Sequence, residues 1–326
     1  MTMAMTAGTI EREAVVVANN PFNAATLADW IQYCDVQKST QITYNKGIQA
    51  FLGYLRNNAI DAPTRQDVIN FRKWMTDEDN GGENPIYKVS TARLYLTLCK
   101  KFFRWLSSRS IYPNLADGVK LPAMPSGEHA HDALTLTEAK ATISSFKGKS
   151  EKELRDRAIM SLMIGAGLRS VEVVRANIGD IEKRRGQWFL QVHGKARAGK
   201  TDSVPLSAEL KKIIDQYLSV RSKGKKNSPL FISTSRRNRG VRLETQSVSR
   251  LAKKTFSKIG IESDRVTCHS CRATAATLML EAGVPIRKVA RILRHTDTKI
   301  TELYARDLND FNNRGVDILS NILFAA

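Results

Sequence analysis

From Thr26 onward the apolar side chains recur at helical spacing. Tyr44, Ile48, Phe51, Leu52 and Leu55 fall at i, i+4, i+7, i+8 and i+11, one face of a helix whose start Ser39 or Thr40 offers. Thr64 is placed to cap a helix carrying Val68, Phe71 and Met75. Beyond the polar stretch 77–85 (DEDNGGENP), a further helix from near Ser90 turns Leu94, Leu98, Phe102, Trp105 and Leu106 inward. Residues 23–120 therefore predict an all-helical bundle, and residues 1–22, without a sustained period, predict a flexible arm.

The texture changes across 121–133 (LPAMPSGEHAHDA), whose Pro, Gly and small residues suit a linker. From 134 to 326 the pattern predicts helices from about Thr137 and over 151–166, the second closed by Gly167 as a left-handed cap. Two short strands, 187–192 and 202–206, flank a Gly- and Lys-rich turn at 194–200. Helices then follow over 209–220, 245–259, 270–282 and 285–293, with a last set from Tyr304 to the end. The expected class is mainly α, with one small antiparallel sheet in the second domain. The tail after Asp307 carries Val316, Ile318, Leu319, Ile322, Leu323 and Phe324, too apolar a set for a free tail.

Charge adds the first functional hint. The 326 residues hold 51 Lys and Arg against 32 Asp and Glu, a net of +19, with +3 in residues 1–120 and +16 in the remainder. Basic runs stand at 183–185, 221–226, 236–242 and 287–294, with no long amphipathic helix to gather them on one face, which favours nucleic acid over an acidic membrane. A hydrophobic share of 42% suits a folded chain with a real core. No continuous apolar run approaches a membrane span, and the first ten residues lack the pattern of a secretory signal. Four cysteines make no disulfide framework, so a cytoplasmic protein in a reducing compartment is expected.

Phosphate-binding Gly-Lys-Ser/Thr loops, Gly-x-Ser-x-Gly and His-Glu-x-x-His are absent from the sequence. Cys268 and Cys271 form a Cys-x-x-Cys, open to a zinc or redox role, but no second pair lies at ligand spacing and two small residues opening a helix is the preferred reading. Arg169 follows a Gly-Leu turn where a helix begins, and Glu172, three residues on, can orient its guanidinium. His269 and Arg272 share one helical turn, and Tyr304 lies nine residues after His295. Together with a lysine-bearing turn, these types suit displacement at a phosphodiester: guanidinium forks match non-bridging oxygens, and a tyrosine hydroxyl can form a covalent ester. Without an Asp/Glu cluster suited to Mg²⁺, neither metal nor cofactor is expected.

In these motifs the sequence resembles the tyrosine recombinases, the integrase family that includes phage integrases and Xer-type proteins. The resemblance rests on Gly167-Leu168-Arg169 with Glu172, on Gly194-Lys195 ahead of Val204-Pro205-Leu206, on His269-x-x-Arg272, and on His295 with Tyr304. It implies a helical, SAM-like core-binding domain joined to a mixed α+β catalytic domain. By this resemblance Tyr304 is the nucleophile that forms a 3′-phosphotyrosine, Arg169 and Arg272 clamp the phosphate, and His295 is a further donor to it. Lys195 protonates the leaving 5′ oxygen, His269 assists proton transfer and Glu172 supports the site. The turn 194–203 is longer than the family's compact form, which leaves Lys200 as a competitor for the acid.

The implied partners are duplex DNA with specific recombination sites and a homotetramer joined through a C-terminal helix at about 312–326, passing through a Holliday junction; accessory proteins and the target site stay unspecified. Arg236, Arg237, Arg239, Arg242, Arg250, Lys46, Lys88 and Arg93 are the expected DNA contacts. Two other readings stay open: a type IB topoisomerase-like nicking and closing enzyme, and an idle architectural DNA-binding protein.

Overall fold

The computed structural model describes residues 20–123, 132–193, 199, 202–295, 297–298, 301–302 and 304–305. The chain separates into two units, Met1–Ser126 and Gly127–Ala326.

The first unit is built from α1 (Ala24–Tyr33), α2 (Lys38–Asn57), α3 (Arg65–Thr76) and α4 (Val89–Ser108). The side chain of Asn23 accepts the Thr26 N–H at 2.9 Å to start α1. Thr64 and Asp67 exchange bonds in a capping box that starts α3, where the sequence puts it. The start of α2 differs from expectation: Ser39 and Thr40 lie inside the helix, and Gln37 precedes it without a side-chain cap. The Thr40 N–H already donates to the Gln37 carbonyl at 2.8 Å, so the backbone ladder begins ahead of either hydroxyl.

Aromatic rings fill the core of this unit. Phe51 meets Phe71 edge-on at 5.1 Å and Phe103 at 5.7 Å, and Trp30 meets Phe102 at 5.4 Å. Leu98, Phe102, Trp105 and Leu106 are buried as expected, but Leu94 is 41% exposed. Residues four apart precess by about 40° around a helix, which leaves Leu94 on the rim of the stripe that Phe102 centres.

The second unit contains α5 (Leu136–Ser144), α6 (Glu151–Gly165), α7 (Ser170–Arg175), β1 (Ile181–Arg184), β2 (Gln187–Val192), β3 (Asp202–Leu206), α8 (Ala208–Val220), α9 (Thr245–Lys258), α10 (Ser270–Glu281) and α11 (Ile286–Ile292). Helix α6 is its axis. Every residue from Ala158 to Ile164 is buried, because α8, α9 and α10 all pack on it. Its second turn holds a buried ion pair, Arg155 with Asp156 at 2.6 Å, whose guanidinium also donates to the Ile232 carbonyl at 2.9 Å.

The sheet runs β1-β2-β3, all antiparallel. Two of its strands follow the sequence pattern; β1 was not expected there. It pairs Arg184 with Gln187 across a two-residue turn, Arg185 and Gly186, both at positive φ (47° and 83°). Such a turn matches the twist of a hairpin, and glycine in the second place makes it accessible. Among the described residues no helix is long and apolar enough to cross a membrane.

Candidate active site

The end of α6 sets the geometry. Gly167 takes φ +60°, and a Cβ there would overlap the Leu293 side chain and stand 3.4 Å from that of Ala275. Only glycine lets the segments bearing Arg272 and His295 close on this turn. The next turn begins α7 with Arg169 as its N-cap residue. Glu172, 2% exposed, accepts the Arg169 backbone N–H at 2.8 Å on one oxygen and its Nη1 at 2.9 Å on the other. The expected orientation of the guanidinium by this carboxylate is thus what the local fold provides.

Arg272 arrives from the first turn of α10. Its guanidinium is buried and donates to two main-chain carbonyls, Gly167 at 2.7 Å and Leu293. His269 stands just before α10 and is exposed, its backbone N–H donating to the Thr267 hydroxyl at 3.2 Å. His295 follows α11, with its N–H on the Ala290 carbonyl at 2.9 Å and its Nδ1 2.7 Å from the Thr301 hydroxyl. Tyr304, in the short helical segment after it, packs against the cluster of Ala275, Ala276, Val289 and Leu293. The structure therefore brings Arg169, Glu172, Arg272, His295 and Tyr304 to one end of the unit.

Two residues of this site were not anticipated, Arg294 and Thr301. Arg294 lays its Nε and Nη2 on the two oxygens of Glu172, at 3.2 and 2.7 Å. In sequence it is one cation of a basic run, and only its place next to His295 sets it apart. Thr301 is fully buried, six residues after the histidine it bonds.

The electrostatics are those of an anion site. Burial pulls Arg272 down to about 9, and the neighbouring charges of Arg169 and Arg294 add to the effect, while Glu172 and Tyr304 oppose it. Burial, then the charges of Arg272, Arg169 and Arg294, pulls His295 down to about 4 and leaves it neutral at pH 7. Burial pushes the Glu172 carboxyl up, but Arg294 and Arg169 together outweigh this and hold it below its usual range. Three arginines around one carboxylate leave a surplus of positive charge for an incoming anion.

The other expected residues divide. Lys195 and Lys200 lie outside the described residues, as does the tail at 306–326. Lys46, Lys88, Arg236, Arg237 and Arg250 are exposed. Arg239 is exposed too and reaches Glu151 at 3.3 Å. Arg242 is turned inward: Nη1 donates to the carbonyls of Val174 and Ala176, at 2.7 and 3.2 Å, and Nη2 to the Asn177 side chain at 2.6 Å. It braces the end of α7, and Arg93 likewise donates to the Pro122 carbonyl. Cys268 and Cys271 are buried free thiols at the start of α10, and burial pushes the Cys271 thiol up. Among the described residues no group of three or more His, Cys, Asp or Glu could hold a metal ion.

Clustered arginines with a histidine and a tyrosine, on a helical unit with one small sheet, define a class that works on phosphodiesters. Residues 132–310 match the phage integrase family and residues 27–110 match its N-terminal SAM-like domain. The chain belongs to this family, the tyrosine recombinases, which are site-specific recombination enzymes. Tyrosine recombinase XerA of Pyrococcus horikoshii is 30% identical over 301 residues, covering 91% of this chain and 92% of its own. Among solved structures, the XerH site-specific recombinase in a post-cleavage complex with its difH substrate shares the fold at TM-score 0.70, with 17% identity over 92% of this chain and 85% of that one. A lambda integrase tetramer on a Holliday junction does so at 0.65, with 18% identity over 85% and 75% of the two chains.

Proposed function

We propose that this chain cuts and rejoins DNA strands at specific duplex sites through a 3′-phosphotyrosine bond at Tyr304. The observation that carries this reading is the convergence of Arg169 and Arg272 on the Gly167 turn, with His295 and Tyr304 from the segment beyond α11 beside them. The tyrosyl oxygen attacks phosphorus as the bond to the 5′ oxygen breaks, and the leaving oxygen takes a proton. A phosphodiester enters with one negative charge, and more develops as the tyrosyl oxygen bonds to it. Guanidinium groups fixed in advance stabilise that growth without reorganising.

Arg169 and Arg272 hold the non-bridging oxygens, and His295 donates a further bond. Glu172 keeps Arg169 in place. His269 assists proton transfer at the tyrosine, and Lys195 supplies the proton to the leaving 5′ oxygen, with Lys200 the competing donor. Attack by the free 5′ hydroxyl of a partner strand reverses the step and releases the tyrosine, so the ester bond is conserved through the exchange.

Residues 23–120 serve as the core-binding domain, 121–133 as the linker and 134–326 as the catalytic domain. Two duplex sites are joined by four copies, each passing a C-terminal helix at about 312–326 to its neighbour, with a Holliday junction between the two strand exchanges. Exposed Arg236, Arg237, Arg239, Arg250, Lys46 and Lys88 hold the phosphate backbone, and the enzyme works in the cytoplasm on the nucleoid.

A suicide duplex, nicked beside the scissile bond and carrying a site selected by binding from a random library, tests the chemistry. The wild-type chain is expected to become covalently linked to it and Tyr304→Phe to give no product. Undiminished linkage in Tyr304→Phe overturns the assignment.

A further inference from the structure

Arg294 is built into the site in an unusual way. Its backbone takes φ +55°, in the left-handed region that costs a residue with a Cβ about 1–2 kcal/mol. Something must hold it there. Its side chain spends its donors on the protein: Nε and Nη2 on the two Glu172 oxygens, Nη1 on the Ile292 carbonyl at 2.7 Å, and Nη2 again on the Gly167 carbonyl at 3.3 Å. Its own carbonyl accepts from Arg169 Nη2 at 3.4 Å.

These contacts decide between two roles. A phosphate ligand keeps donors for the anion: Arg272, also buried, commits two of its five N–H groups to carbonyls, whereas Arg294 commits four to the protein. A brace needs links to every element it aligns, and Arg294 has them. It touches α7 through Glu172, shares the Gly167 carbonyl with Arg272 of α10, and stands directly before His295. The carboxylate it grips is the one that orients Arg169.

We propose that Arg294 is a positioning residue for the strand-transfer reaction: it locks Glu172, and through it Arg169, while pinning the turn that presents His295. A side-on fork on a buried carboxylate fixes both partners in plane, which an ammonium group cannot do. Without it Glu172 retains, among the described residues, Arg169 alone, and the pair is free to move together. Small displacements of groups that hold a reacting phosphate slow chemistry without weakening overall binding.

The inference rests on the phosphotyrosine reading, and the test keeps the two apart. Full-length wild type, Arg294→Gly and Arg294→Lys are compared on the nicked suicide duplex at saturating enzyme, with DNA affinity and melting temperature measured alongside. Glycine relieves the backbone at φ +55° while deleting the guanidinium. It is expected to bind DNA within about threefold of wild type and to form the covalent link ~10- to 100-fold more slowly. Lysine keeps the charge without the fork and is expected to fall between the two. If the glycine variant does not fold, the lysine variant decides by its rate. A wild-type rate in the folded glycine variant, or in the lysine variant when that one decides, overturns the proposal, as does a rate loss matched by an equal loss of affinity. Failure of the wild-type chain itself to link would instead refute the phosphotyrosine reading.

Discussion

The Thr301 hydroxyl lies 2.7 Å from Nδ1 of His295, and Thr301 stands one helical turn before Tyr304. One short bond thus ties the histidine that faces the arginine cluster to the segment that bears the tyrosine. Thr301→Val preserves shape and apolar contact while deleting the bond. It is expected to cost about 1 kcal/mol of stability and to slow covalent linkage about tenfold with DNA affinity unchanged. Single-turnover cleavage beside a thermal melt checks this, and a wild-type rate would show that the bond aligns nothing.

Much of the fold is legible in the sequence where a local rule decides the outcome. Thr64 with Asp67 starts its helix by bonds that span three residues, and Thr135 with Glu138 does the same, two residues ahead of the start near Thr137 that the apolar pattern suggests. The left-handed Gly167 is equally local. Strand β1 escaped because Lys183 and Arg184, half of its four residues, are cations that suggest a solvated run. What makes them a strand is pairing with Lys183↔Trp188 and Arg184↔Gln187 beyond a primed turn. The site shows the same division. Arg169 and Glu172 are neighbours on one turn and announce each other, whereas Arg294 meets Glu172 across 122 residues. No spacing rule reaches that far.

His295 gives a pH dependence with a definite sign. In the folded chain its imidazole is pulled from 6.5 to about 4, so between these values the unfolded chain binds a proton that the folded chain refuses. Stability is therefore expected to fall as pH drops through that window, and less so in His295→Asn. A bound phosphodiester adds negative charge beside Arg169, Arg272 and Arg294 and should raise the imidazole. NMR titration of His295 is expected to show a higher midpoint in the DNA complex than in the free protein, and an equal or lower midpoint would place the phosphate elsewhere.

Arg242 and its exposed neighbours should behave oppositely. Arg242→Ala removes three bonds at the end of α7 and is expected to cost ~1–3 kcal/mol of stability. Arg236→Ala with Arg237→Ala should leave the melting temperature unchanged and weaken DNA binding, lowering the slope of log affinity against log salt by about 2. Chemical denaturation and binding across a salt series separate the two classes. An unchanged slope would remove Arg236 and Arg237 from the interface.

The Gly167 carbonyl accepts from both Arg272 and Arg294. A peptide oxygen is the one acceptor that no codon change can delete, so this anchor is inherited with the backbone path and not with any side chain. Sequence drift around the turn can alter packing yet leave the two guanidinium groups moored. The vulnerable point of this anchor is the glycine itself, for a side chain at φ +60° would meet Leu293 and move the oxygen by displacing the turn.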